Sequence, residues 1–107
     1  MKNVEVLDRL SETLLARRKA DPDTSYTAKL LANAPDLILK KIGEESAELI
    51  MAAKDGKRLN IVWEVTDVWF HTLVLLAHYG LTAEDVLNEL RRREGISGID
   101  EKAARNK

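Results

Sequence analysis

Apolar residues recur along this chain with the three-and-four spacing of amphipathic helices, and no stretch shows the strict alternation of a half-buried strand. Val4, Leu7, Leu10, Leu14 and Leu15 form one stripe, so a first helix is expected from Val4 to Arg18 with Asn3 as its cap. Ala20 to Ser25, containing Asp21-Pro22-Asp23, reads as a loop, and a short helical piece from Tyr26 to Asn33 follows it. Pro35 separates that piece from a third helix, Asp36 to Lys54, which Gly56 can terminate in the left-handed conformation. A fourth runs from Leu59 to His78 or Tyr79 and stops at Gly80. Thr82 then caps a fifth, Ala83 to Arg93, with Asp85 at the capping-box position and Leu81 able to staple against Val86. The reading is all-α, a short bundle of four to five helices.

After Arg93 the pattern weakens. The stretch "EGISGIDEKAARNK" holds Gly95 and Gly98 and breaks helical periodicity, so from about residue 95 the tail is either frayed or ordered by closing over something. With 107 residues the chain suits one modest core, and residues 1–107 are read as one domain. A formal charge of -1 offers no broad positive field to nucleic acid or an anionic membrane surface. The longest apolar run, Leu73 to Ala77, is far short of a membrane span. No cysteine is present, which removes disulfides and thiol chemistry and agrees with a cytoplasmic location.

The fourth helix carries the unusual pattern. At about 100° per residue, Asn60, Glu64, Asp67, His71 and His78 share a sector of roughly 60°, while most other directions are filled by Val, Leu, Ile, Phe and Trp. A helix apolar nearly all round should be buried, so its acidic stripe must face something that compensates it. On the third helix Glu44, Glu45 and Glu48 span about 100°, and Glu45 and Glu48 border the packed face. The short Asp55-Gly56-Lys57 turn makes these two helices antiparallel neighbours, which lets Glu45/Glu48 meet Glu64/Asp67 across one groove.

Carboxylates gathered in a low-dielectric groove need a counter-charge. No Lys or Arg follows Arg58 on the fourth helix, and magnesium, a hard ion that takes carboxylate oxygens and leaves positions for phosphates, fits best. A network using Lys40, Lys41 or the N-terminal arginines is the alternative without a metal. His71, one turn beyond Asp67, is either an orienter of that carboxylate or a core histidine, and Asn60 lies on the same stripe. Glu64 lacks the histidine at i+3 that di-iron bundles use, so redox iron is disfavoured. Magnesium among carboxylates points to phosphate chemistry, with Lys29, Lys40, Lys41, Lys57-Arg58 and Arg91 to Arg93 as candidate cations for the substrate.

"LILKKIGEESAEL", "EVTDVWFHTLVLLAHYGL", the upstream "SYTAKLL" and the tail "GISGIDEKAAR" together resemble the phosphoribosyl-ATP pyrophosphatase family of the all-α nucleotide pyrophosphohydrolase superfamily, from about Leu7 to Arg105. The two acidic pairs alone would identify only the superfamily; the "SYT" segment and the tail make the resemblance specific. It implies hydrolysis of the α–β phosphoanhydride of phosphoribosyl-ATP to phosphoribosyl-AMP and pyrophosphate with Mg2+, in histidine biosynthesis. By position, Glu45, Glu48, Glu64 and Asp67 would be the metal ligands, and Glu44 or Glu45 would orient the water or accept its proton. Ser25, Tyr26, Thr27 and Lys29 would line the substrate site, with Lys40, Lys41, Arg91, Arg93, Ser97, Lys102 and Arg105 as further substrate-binding candidates. It also implies a homodimer and a functional link to the phosphoribosyl-AMP cyclohydrolase. The sequence allows the dimer independently, because the fourth helix has more apolar circumference than so short a chain can cover. Two other readings are a housecleaning nucleoside triphosphate pyrophosphohydrolase with the same mechanism, and a non-catalytic helical dimerisation module.

Overall fold

In a computed structural model, residue 3 and residues 5–105 are described. They form α1 (Glu5–Arg17), α2 (Tyr26–Ala32), α3 (Asp36–Asp55), α4 (Arg58–His78), α5 (Ala83–Arg92) and α6 (Gly98–Arg105), with no strand among them. The first five match the helices expected from periodicity to within a residue or two at each end, although Val4 lies outside the described residues. The sixth corrects the expected number. Ser97 accepts from the backbone N–H of Asp100 at 3.1 Å and starts a helix just after Gly95 turns the chain with φ +75.

The stops and starts follow local chemistry. Gly56 and Gly80 take φ +70 and +74, where a Cβ would be strained, and they end α3 and α4. Asp85 Oδ2 accepts from the Thr82 N–H at 2.9 Å, which fixes the entry to α5. Ser11, buried on α1, accepts from the Ala83 N–H at 3.1 Å and ties the start of α5 to the first helix.

Leu14, Leu30, Ile38, Val74 and Ala77, one or two from each of α1 to α4, make the core, with Leu10, Leu37, Phe70 and Leu73 packed around it. The α3–α4 hairpin is the dominant contact of the fold, and α1 and α2 lie against α4. Despite its composition α4 is not enclosed by one chain: Trp63 is 56% and Trp69 60% exposed, beside exposed Leu59 and Val62. By length and composition α4 could also cross a membrane, which its short apolar runs had not indicated. Its packing against α1, α2 and α3, with Glu64 and Asp67 in mid-helix, marks it as a bundle helix instead. Two apolar grooves of about 470 and 860 Å³ run along α4 where α1 and α5 approach it, and both include Leu7, Trp69 and Leu73.

Candidate metal centre on the α3–α4 seam

The short α3–α4 connection forces two acidic stripes to face each other. Glu45, Glu48 and Glu64 each bring a carboxylate oxygen to within 4.8 Å of the others. Asp67, one turn along α4 from Glu64, is close enough that its charge raises the pKa values of both Glu45 and Glu64. Glu45 and Glu48 thus meet Glu64 across one seam, and Asp67, exposed at its edge, lies outside that three-oxygen group.

Burial, followed by the charge of Glu48 and then of Asp67, pushes the Glu45 carboxyl up to about 7. Glu64 is raised in the same direction, by burial first and Glu48 second. Glu45 Oε2 and Glu64 Oε2 are both buried without a hydrogen-bond partner. Such orphaned oxygens are costly, and each needs a proton, water or cation. Among the described residues no Lys or Arg forms an ion pair with any of the four acids. The lysine network considered as an alternative goes elsewhere: Lys40 and Lys41 reach Glu44 at 3.9 and 3.8 Å. Three convergent carboxylates, two of which also carry a buried partnerless oxygen, with no competing side-chain cation, could hold a metal ion.

Glu44 therefore stands apart from its neighbour. It is exposed and turned toward the lysines, while Glu45 is partly buried in the cluster. His71 is 6% exposed and does not bond the Asp67 carboxylate; its Nδ1 lies 2.9 Å from the main-chain oxygen of Asp67 and its Nε2 3.0 Å from the Tyr26 hydroxyl. Its polar contacts are therefore the main chain of Asp67 and the Tyr26 hydroxyl, not the Asp67 side chain. Asn60 sits partly buried near the start of α4, with no side-chain hydrogen bond among the described residues.

The other candidates divide by location. Ser25 caps α2, accepting from the Ala28 N–H at 3.2 Å, and Tyr26, Thr27 and Lys29 lie on its first turns. The tail candidates instead gather around Glu101, which the sequence reading had not singled out. Glu101 is 4% exposed and meets Arg92, Arg93 and Arg105. Glu89 accepts from Arg92 and Arg93 as well, and these hydrogen bonds draw its carboxyl down to about 2. Glu101 is lowered too, chiefly by its hydrogen bond from Arg92. The only sequence signal for this clasp was opposite charge: "RRR" ahead, "DEKAAR" behind. Arg91 and Lys102 remain exposed, and the Ser97 hydroxyl serves as the cap of α6.

A family model described as phosphoribosyl-ATP pyrophosphohydrolase matches residues 7–94. The chain is 73% identical over 105 residues to a phosphoribosyl-ATP pyrophosphatase of Dechloromonas aromatica (strain RCB), spanning 98% of this chain and 97% of that one. It is 61% identical over 105 residues to the phosphoribosyl-ATP pyrophosphatase of Azoarcus sp. (strain BH72), covering 98% of both. For the protein of that name from Chromobacterium violaceum the identity is 56% over 101 residues, and 94% of each chain is covered. Since the match runs through both acidic stripes and nearly the full length of these relatives, this chain belongs to the phosphoribosyl-ATP pyrophosphohydrolase family.

Proposed function

We propose that this chain hydrolyses the α–β phosphoanhydride of phosphoribosyl-ATP, giving phosphoribosyl-AMP and pyrophosphate for histidine biosynthesis, with magnesium held by Glu45, Glu48, Glu64 and Asp67. Family membership supports the substrate, and one observation supports the chemistry: convergent acids with buried, partnerless oxygens and no side-chain cation. Magnesium bound there would polarise the phosphoanhydride and lower the pKa of the attacking water.

The residues of the chain supply the rest. Glu45, Glu48 and Glu64 hold three oxygens together at the cost of mutual repulsion, so the site is built before the ion arrives. Lys40 and Lys41, not consumed in neutralising that cluster, make only long, partly exposed pairs with Glu44. Such pairs contribute little, so both ammonium groups are available to the substrate's phosphates. The proton acceptor is one of two adjacent acids: Glu45 inside the cluster, or solvent-accessible Glu44 beside it.

A homodimer is part of the proposal. The exposed Trp63, Trp69, Leu59 and Val62 present an apolar face that a second copy would cover, bringing α4 to the burial its composition demands. A cytoplasmic location and coupling to the cyclohydrolase that consumes the product accord with a cysteine-free biosynthetic enzyme.

Pyrophosphate release from phosphoribosyl-ATP, ATP and dUTP, each with and without magnesium, tests the reading. Turnover on phosphoribosyl-ATP that requires magnesium is expected, and Glu64→Gln or Asp67→Asn should abolish it while the helical circular dichroism signal persists. Preferred turnover of ATP or dUTP would instead support the housecleaning reading. No magnesium effect on either activity or melting would support the dimerisation module.

A further inference from the structure

His71 is a polar residue in an apolar place. It is 6% exposed on a helix lined with Leu, Val and Phe, where an aliphatic side chain would fill the space with no polar group to satisfy. Both ring nitrogens are satisfied. Nδ1 faces the Asp67 carbonyl oxygen at 2.9 Å, which can only accept, so Nδ1 carries the proton. Nε2 is then the lone-pair nitrogen and accepts from the Tyr26 hydroxyl at 3.0 Å. The tautomer and the donor are thus set by the main chain of Asp67.

Tyr26 ends up in a defined position with its ring free. Its hydroxyl is held by a buried partner, its centroid lies 6.1 Å from the His71 ring at 89°, and yet the residue is 52% exposed. This hydrogen bond joins the side chains of α2 and α4. His71 lies one turn beyond Asp67, a rise of about 6 Å along α4. The anchored tyrosine therefore stands at the end of the acidic stripe. An aromatic ring with one polar end fastened and its face open suits contact with a planar base or sugar.

We infer that His71 is a positioning residue that fixes Tyr26 as a substrate-contacting wall beside the Asp67 end of the acidic seam. This inference rests on the proposed nucleotide chemistry of that seam, where Tyr26 is already a substrate-lining candidate, and adds His71 as the residue that positions it for binding, apart from the metal cage.

Three variants test it, each followed by steady-state kinetics and by the melting shift on adding magnesium. Tyr26→Phe removes only a hydroxyl, so it should fold, and its KM should rise roughly 3- to 10-fold, the range one net hydrogen bond supplies. Its kcat and its magnesium-induced shift should match wild type. His71→Asn, which can imitate Nδ1 but cannot reach Tyr26, should behave alike. His71→Gln, whose amide oxygen can take the place of Nε2, should recover most of the affinity. A wild-type KM in Tyr26→Phe, whatever its melting temperature, makes the bond merely structural and overturns the inference. So does a loss of the magnesium shift, which would place the pair in the cage. The kinetics use whichever of phosphoribosyl-ATP, ATP and dUTP wild type turns over, so a wrong substrate is told apart from a wrong role for His71. A wild type inactive on all three sinks both.

Discussion

Glu45→Gln should make the metal-free protein more stable and functionless at once. The carboxylate oxygens of Glu45, Glu48 and Glu64 lie within 4.8 Å of one another. At that separation a like-charge pair costs about 1 kcal/mol if water screens it fully and about 3 kcal/mol in partly buried surroundings. Glutamine removes the repulsion and its amide can donate to a neighbouring carboxylate, offset in part by imperfect geometry. A net gain of about 1 kcal/mol is expected, equivalent to a rise of about 4–8 °C in a domain of this size.

The sign depends on pH. Glu45 is raised from 4.5 to about 7 in the folded protein, so the folded state holds a proton that the unfolded chain has released. Its contribution to stability is complete below 4.5 and is lost as pH rises through about 7. Wild type without metal should therefore melt lower at pH 8 than at pH 5, and the variant should exceed it only at pH 8. Magnesium at a hundred times its Kd adds about 2.7 kcal/mol to a protein that binds it only when folded, and this gain should vanish in Glu45→Gln. Thermal melts at both pH values, in chelator and in magnesium, read all of these terms. A variant no more stable than wild type at pH 8 without metal, or one that keeps the full magnesium shift, would refute the reasoning.

Two further outcomes follow from other parts of the molecule. Glu101→Gln leaves three arginines around a neutral side chain, so α6 should become protease-sensitive while α1 to α4 melt nearly as before. In wild type the lowered carboxyl of Glu89 keeps its part of the clasp intact above about 4.5 and weakens it as pH falls toward about 2, Glu101 being lowered in the same direction, which limited proteolysis across that range can follow. Trp69→Lys places a charge in both apolar grooves and should shift sedimentation toward monomer without loss of helicity. An unchanged sedimentation coefficient would place the dimer contact elsewhere.

The acidic seam was legible because its parts are local. The three-residue spacing of Glu45/Glu48 and Glu64/Asp67 puts each pair on one helical face, and the Gly56 turn brings those faces together. The tail was less legible. "GISGIDEKAAR" is too short and too glycine-rich for periodicity to reveal a helix, and its burial comes from ion pairs with α5 that hydrophobic patterning cannot register.

By itself the sequence determined the first five helices, their ends, the family resemblance and the pairing of two acidic stripes, since each depends on residues a few positions apart. Tertiary structure decided what each stripe faces. It separated Glu45, in the seam, from Glu44, turned to Lys40 and Lys41, though the two are adjacent in the chain. It gave His71 a tyrosine and a main-chain oxygen instead of a carboxylate, and it left Trp63 and Trp69 uncovered. Periodicity fixes a side chain's direction about its own helix axis; only the assembled bundle fixes what lies in that direction.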